Sequence, residues 1–412
     1  MARGMECDAD VLIVGGGLNG PLLALALAQA GLRVTVIDAL PAGTRGDPGF
    51  DGRAYAMALA SVRMLRALGL WEGLEPQAQP ILQVRAADGR PGEAPSPLHL
   101  SLDHAEIEEG PLGAMVEDRH LRRALLAAMA DTPGITHRAD TRVVAQQVGP
   151  SGVTLRLEGG ETLTGRLLVG CDGRASGTAQ RAGIRRVRWG YGQTALVCAI
   201  AHERPHHGIA QQLFLPGGPL AVLPLTDNRA SIVWTEAEAV AAGIAGLDDA
   251  GYLAALRHRL GDGLGEVRLV GRRWAYPLGL SLAQSFVADR LVLAGDSAHG
   301  IHPIAGQGLN LGFRDVAALA EVLTEAARRG EDIASPLVLE RYQVWRRFDA
   351  TTMALATDAF NRLFSNDNAL LRGVRDLGMG LAGQVPALRR AFMREAAGLT
   401  GEVPRLMQGR PV

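Results

Sequence analysis

The sequence predicts an α/β fold with two lobes, and three glycine-punctuated stretches predict it. Residues 10–38 run strand, glycine turn, helix, strand. Residues 167–173 are an apolar run that stops at Asp172-Gly173. Residues 290–315 start as a buried strand, reach Gly295-Asp296, cross a glycine-rich loop and restart as a helix. Each puts glycine and an acid where a strand ends, the edge at which α/β sheets commonly bind ligands. With 412 residues the chain exceeds the usual size of one domain, so a large core and two lobes are expected.

Composition narrows the class. A hydrophobic content of 47% with 21% charged residues reads as soluble and globular, and a net charge of -1 gives no support for nucleic-acid binding. Every basic residue is Arg, with no Lys, which reflects genomic base composition before any function. The three cysteines, Cys7, Cys171 and Cys198, have no metal-ligand spacing and cannot all pair, which predicts a reducing compartment and no metal site. Residues 11–32 carry no charge over a span long enough to cross a bilayer. Against a membrane span or signal peptide stand Gly15, Gly16, Gly17 and Gly20 inside it, and Asp8 and Asp10 where a signal would be basic.

In the first stretch Gly15, Gly17 and Gly20 fit G-x-G-x-x-G directly after the apolar run 11–14, and Asp38 closes the second strand. The glycines let backbone approach a pyrophosphate, the helix start stabilises its charge, and Asp38 is placed to accept from a ribose hydroxyl. Pro21 falls in the first helical turn, where its missing N–H costs little. Residues 40–52 read as a polar loop. Residues 51–71 follow as an amphipathic helix with Leu59, Val62, Leu65 and Leu68 at helical spacing and Trp71 at its end. The turn-rich segment 76–104 supplies strands to the second lobe, and residues 115–130 form a helix starting near Asp118, with Leu121, Leu125 and Ala128 inward. Strand-like segments over 142–158 lead into the 167–173 run. Residues 214–235 hold two strands around the turn Thr226-Asp227-Asn228-Arg229. His206 and His207, in a Pro-flanked loop, read as surface residues, and the chain from Ser335 onward reads as helical, broken by Gly373, Gly378 and Gly380.

In the third stretch Pro303, Gly306 and Gly308 are too many breakers for a helix. Leu309, Phe313, Val316 and Leu319 then recur at helical spacing. The order GD, HP, GQGLN over 295–310 resembles the second FAD-contacting motif of the class A, para-hydroxybenzoate-hydroxylase-like flavin monooxygenases. More narrowly, GDSAHGIHPIAGQGLNLGFRD resembles the ubiquinone-biosynthesis hydroxylases. The resemblance implies FAD as cofactor, with Asp296 on its ribityl chain and Pro303, Gly306, Gln307, Gly308, Leu309 and Asn310 facing the pyrimidine end of the flavin. It adds Arg53, Arg119 and Asp172 as cofactor-side residues, and Leu220, Val222, Leu223 and Pro224 as an apolar surface for a prenylated ring. Its D-G-x-x-S-x-x-R pattern is matched at Asp172, Gly173 and Ser176 but has Ala179 in place of Arg, with Arg174 or Arg181 as available substitutes.

The resemblance thus implies a Rossmann-type FAD-binding domain (1–75, 105–184 and 277–345), a discontinuous β-sheet substrate domain (76–104 and 185–276) and a C-terminal helical region (346–412). It implies hydroxylation of a polyprenylated phenol with O₂ and NAD(P)H by way of a flavin C4a-hydroperoxide. It further implies a cytoplasmic protein with peripheral contact to the inner membrane and assembly with other ubiquinone-biosynthesis proteins. No residue stands out as a catalytic base; His299 and His302 are read as shaping the turn between strand and helix. A flavoenzyme acting on another substrate, such as an isoprenoid reductase or a hydroxylase of a non-quinone aromatic acid, and a non-catalytic flavin-binding subunit are the alternatives.

Overall fold

The computed structural model describes residues 7–93, 96–365, 378, 380–381 and 383–412. The first unit is β1 (Ala9–Val14), α1 (Asn19–Gln29) and β2 (Val34–Ile37). Its strands read as unbroken apolar runs because they are covered on both faces; Val11, Leu12 and Ile13 are fully buried. After β2 come β3 (Ala54–Ala58), α2 (Leu59–Ala67), β4 (Gln79–Ile81), β5 (Gln83–Asp88), β6 (Leu100–Asp103), β7 (Gly113–Glu117), α3 (Asp118–Asp131) and β8 (Ile135–Arg138). The hairpin β9 (Val143–Gly149) and β10 (Gly152–Leu157) leads into β11 (Thr162–Gly170).

The second lobe is built from β12 (Arg186–His202), β13 (Ile209–Leu215), β14 (Gly218–Leu225), β15 (Arg229–Ala237), α4 (Glu238–Ala245), α5 (Asp249–Leu260) and β16 (Val267–Ala283). The chain then returns through β17 (Val287–Ala288), β18 (Leu291–Leu293) and β19 (His299–Gly300), and ends in α6 (Gln307–Arg328), α7 (Pro336–Phe364) and α8 (Pro386–Ala396).

Strand order decides what these elements can do. One sheet runs β17-β18-β11-β1-β2-β8, with β10 on β11 and β9 on β10. Its β18, β11, β1, β2 and β8 are parallel. The carboxyl ends of β1, β11 and β18, which carry the three motifs, therefore lie side by side. The other large sheet runs β19-β16-β12-β15-β14-β13-β5-β6, so the 76–104 segment lies on its edge. Strand β16 passes through position 277 without interruption to Ala283 and pairs there with β19, which ties the 295–310 loop to this second sheet. A three-stranded sheet β3-β7-β4 completes the set.

The structure corrects several expectations. Residues 54–58 are a strand, because β7 pairs with all of β3, and the helix begins only at Leu59; a cross-strand partner overrides local periodicity. Trp71 opens a separate one-turn helix. In α3 Met129 takes the fully inward position, with Ala128 at its edge. His207 is on the surface, but the half-buried His206 has Nε2 2.8 Å from the Leu225 carbonyl and Nδ1 accepting from Gly208.

The C-terminal region is integral to the core. Helix α7 spans 29 residues, Met393 of α8 belongs to the same buried cluster as Met115 and Ile81, and Leu406 and Met407 join the main core. Gly373 lies outside the described residues. Among those described, no helix is long and apolar enough to cross a membrane, and no cluster of metal-binding side chains occurs.

Candidate cofactor and substrate site

The three motifs meet with tolerances that only glycine meets. Gly15 has φ +115°, and a Cβ there would lie 2.3 Å from the Cys171 carbonyl oxygen at the end of β11. At Gly20 a Cβ would lie 2.0 Å from the Gly15 carbonyl oxygen, so α1 can approach β1 only without a side chain. Gly295, at φ +65° after β18, leaves room for Asn19 of α1, whose amide also occupies the space above Gly312 of α6. Ser297 Oγ donates to the Gly170 carbonyl and closes the seam between β18 and β11.

Around this seam the backbone is open. A Cβ at Gly17, Gly173 or Gly308 would meet nothing within 4 Å. Helices α1 and α6 both begin there without an acidic residue in the first turn. Their free N–H groups and dipoles favour an anion by about 0.3–1 kcal/mol each at an exposed site. Open backbone at the second fingerprint glycine, beside two uncompensated helix starts, fits a dinucleotide such as FAD, with its pyrophosphate on the α1 turn and its ring system toward α6.

The predicted side chains divide. Asp296 remains available: its side chain is 43% exposed, and among the described residues its ion pair is with Arg174 Nε at 3.3 Å. Pro303 and Gly306 bracket a 3-10 turn, Gly306 takes the left-handed conformation before α6, and Leu309 is half-buried on the first turn. Asp38 lies against the glycine turn at Gly16. It is 2% exposed and holds Arg45 in a two-bond fork, Nε to Oδ2 at 2.7 Å and Nη2 to Oδ1 at 3.0 Å.

Asp172 is also turned inward. It accepts from the Ser176 hydroxyl and from Thr178 N and Oγ1, which orders the one-turn helix Gly177–Arg181. Asn310 likewise spends its side chain on the protein: Oδ1 accepts from Ala58 N and Ser61 Oγ, and Nδ2 donates to Ala56 O and Gly306 O. That clamp fixes the start of α6 against β3 and leaves the Asn310 backbone as its contribution to a ligand.

Arg53 pairs with Asp51 and with Asp118, at 2.6 Å and 3.1 Å, and lies over Trp274, joining the β3 side to β16. Arg119 is no free helix-surface residue: it pairs with Glu117 at 2.7 Å, donates to Pro48 O and covers the Phe50 ring. Ala179 is buried in the core, and Arg181 is bound to Gln146 and the Val143 carbonyl. Of the two candidate substitutes, Arg174 alone lies against the Asp296 loop.

The proposed substrate residues on β14 cannot act together, since successive side chains on a strand point to opposite faces. Leu220 and Val222 face the core under α4 and α5, with Trp234, Tyr252 and Leu256, and Pro224 shares their parity. Leu223 is on the other face, with Ala56, Phe50 and Met115; Ala56 in turn lies against Gly306. Only Leu223 of the four lies on the side toward the motif loop.

Two features escaped the sequence reading. Behind the GD turn, Asp315 of α6 receives Gly295 N at 2.9 Å, His299 Nε2 at 2.5 Å and Arg346 Nε at 2.9 Å, all essentially inaccessible to water. This shows how His299 shapes the turn. The available signal was an acid four residues from both Leu311 and Leu319 on a buried helix face, and an Arg likewise placed between Tyr342 and Ala350.

His302 is the second feature, and it does not shape the turn through hydrogen bonds. It is fully buried and, among the described residues, neither ring nitrogen has a partner. A buried polar atom left unbonded costs about 1–3 kcal/mol.

Comparison with known proteins bears on the same residues. The profile of the family described as "FAD binding domain" matches residues 8–355. The chain is 47% identical to the ubiquinone hydroxylase UbiL of Rhodospirillum rubrum, over 98% of this chain and 94% of that one. It is 38% identical to the 3-demethoxyubiquinol 3-hydroxylase of Escherichia coli, over 95% and 98%. Among solved structures, p-nitrophenol 4-monooxygenase PnpA from Pseudomonas putida DLL-E4 superposes with a TM-score of 0.80 at 22% identity, covering 97% of this chain and all of that one, which shows a shared fold.

Proposed function

The chain belongs to the FAD-binding hydroxylase family that includes the ubiquinone hydroxylases, and from that premise we propose that its substrate is a polyprenylated phenol of ubiquinone biosynthesis. The protein is an FAD-dependent aromatic monooxygenase. The observation that carries the reading is the convergence of Gly15, Asp172 and Gly295 on one sheet edge, beside the open backbone of Gly17 and Gly308. The flavin, when bound, supplies oxygen activation and transfer of one oxygen atom to an electron-rich ring.

The chain's own residues do the rest. The α1 turn at Gly17 and the first turn of α6 hold negative charge with backbone N–H groups that are already oriented, so no reorganisation is needed during the reaction. Asp296 is placed for the polyol chain. Leu223, Ala56 and the β3 edge supply apolar walls that position a ring and exclude water, while Asn310 keeps the α6 start in register with those walls.

NAD(P)H or another donor supplies the electrons, with Arg174 as the cation beside Asp296 that favours an anionic reductant. Helix α7 supports peripheral membrane contact or assembly with other proteins of the pathway. Leu337, Val344, Phe348 and Leu355 fall on one helical face and are 80%, 65%, 76% and 58% exposed. If that face lies on a bilayer, the protein will float with lipid vesicles and a Phe348→Glu variant will not.

The decisive experiment is product analysis. Purified protein loaded with FAD, NADPH and 2-farnesylphenol will yield a product heavier by one oxygen atom, labelled when the dioxygen is labelled, and nothing under argon. A product formed under argon would establish a reductase instead. A yellow protein that yields no product with any donor would favour the binding-subunit role.

A further inference from the structure

We propose that His302 and Tyr191 form a hydrogen-bonding subsite for the uncharged hydroxyl of the phenolic ring, His302 as the residue that binds it and Tyr191 as the one that orients His302. The assignment rests on the hydroxylase reading above and names how the same site would recognise its ring.

The two side chains come from opposite sides of the site. His302 lies in the loop between β19 and α6, within the GD-to-GQG segment. Tyr191 lies in β12, where the pairing of that strand with β16 is interrupted between Gly190 and Thr194 and Gly192 takes φ +64°. Such an irregularity re-aims a side chain out of the regular ladder, and bulges of this kind are over-represented next to active sites. The rings meet edge to face, with centroids 5.2 Å apart and planes at 69°.

Polar atoms at this contact are unmatched. Among the described residues both nitrogens of His302 are buried without a hydrogen bond, and the Tyr191 hydroxyl, beside the Asp358 carboxylate, makes none of standard geometry. Neighbouring polar groups are otherwise spent on holding α7 to β12: Trp189 Nε1 donates to Asp358 at 3.0 Å, and Asn361 Nδ2 to Gln193 Oε1 at 2.9 Å. Tyr191, though not the fully buried His302 behind it, lines a cavity of about 440 Å³ together with Trp189, Gln193, Pro216, Gly217 and Asn361, within the range of small-molecule sites.

Charge selects the ligand class. Burial, and then the nearby Arg174 guanidinium, push the His302 pKa down to about 4, so the ring is neutral at physiological pH. Burial, and then the Asp358 carboxylate, hold the Tyr191 phenol protonated. A neutral imidazole offers one donor and one acceptor on different edges of the ring, and a hydroxyl can bond whichever edge it meets. A carboxylate only accepts, and can meet the donor edge alone. Arg174 is paired with Asp296 through Nε at 3.3 Å, so its charge is partly balanced before a ligand arrives. A ring bearing a neutral hydroxyl is therefore preferred over an aromatic acid.

The test compares 2-farnesylphenol with farnesylbenzene, which lacks the oxygen, by titrating the flavin absorbance of the FAD-loaded protein. Wild type will bind the phenol about tenfold tighter, a difference of about 1.4 kcal/mol. In His302→Leu the two probes will bind within about threefold of each other, with FAD content and melting temperature retained. His302→Asn, whose amide keeps a donor and an acceptor, and Tyr191→Phe will keep part of the preference. A His302→Leu protein that still prefers the phenol as wild type does overturns the assignment. So does one that loses FAD or melts earlier, since His302 would then serve the cofactor or the fold. Wild-type protein that perturbs its flavin with neither probe overturns the prenyl-phenol reading itself, and this assignment with it.

Discussion

An Asp315→Ala variant will lose about 3–5 kcal/mol of folding stability, the cost of leaving a buried charge without its partner. The loss arises because Arg346 would keep only Asp349, at 2.6 Å, while its Nη2 already lacks a bond, and because Gly295 N and His299 would both lose their acceptor. Denaturant unfolding followed by tryptophan fluorescence measures it, and a loss under about 1 kcal/mol, the size of an ordinary surface ion pair, would refute the argument. Removing both charges in Asp315→Leu/Arg346→Met will recover the part of the loss due to the stranded guanidinium, since apolar side chains can replace a buried pair at little cost, while Gly295 N and His299 stay without an acceptor. FAD affinity will stay low in the double variant, because Gly295 N remains unanchored and the turn that presents Asp296 depends on it.

The same carboxylate predicts an acid limb. Burial alone would raise its pKa, but His299 and Arg346 outweigh burial and hold it below the ordinary value. A group depressed in the folded state contributes stability above its unfolded pKa of about 3.9, and that contribution is lost as the pH falls through the lower folded value. Wild-type stability will therefore drop below about pH 4 more steeply than that of the double variant.

Gly17→Val will abolish FAD binding without unfolding the protein. A Cβ at Gly17 meets no protein atom within 4 Å, so a side chain can leave the backbone there without a clash at its first carbon, and the space it enters is the one assigned to the pyrophosphate. The purified variant will be colourless, with a cofactor affinity down by at least about 100-fold, roughly 2.7 kcal/mol, and will melt where the flavin-free wild type melts. Gly15→Ala is the contrast. Its Cβ would lie 2.3 Å from a backbone oxygen at a φ of +115°, so that variant will lose stability and cofactor together. A yellow Gly17→Val protein would mean that the dinucleotide lies elsewhere.

How much of this was legible in the chain can be judged residue by residue. Strand, turn, helix and acid follow one another locally over residues 10–38, so the G-x-G-x-x-G unit and its parallel strands could be read directly, as could β11 and β18 from their apolar runs. Residues 54–58 were misread because β7 is more than fifty positions away, and only that pairing makes them extended. The faces of β14 were misassigned because a fully covered strand is apolar on both sides and gives no alternation to read.

Side-chain roles were the hardest. Asp38, Asp172 and Asn310 stand where ligand contacts are expected, yet each is bonded by Arg45, Thr178 or Ala58, partners that composition and spacing do not announce. By itself the sequence determined the strand ends, the glycines and hence the chemical class of what binds there, because those depend on backbone freedom within a few residues. The tertiary structure alone decided which acids stay free, that Asp315, His299 and Arg346 brace the turn, and that His302 meets Tyr191. Those outcomes depend on contacts between segments far apart in the chain, and on how completely water is excluded from them.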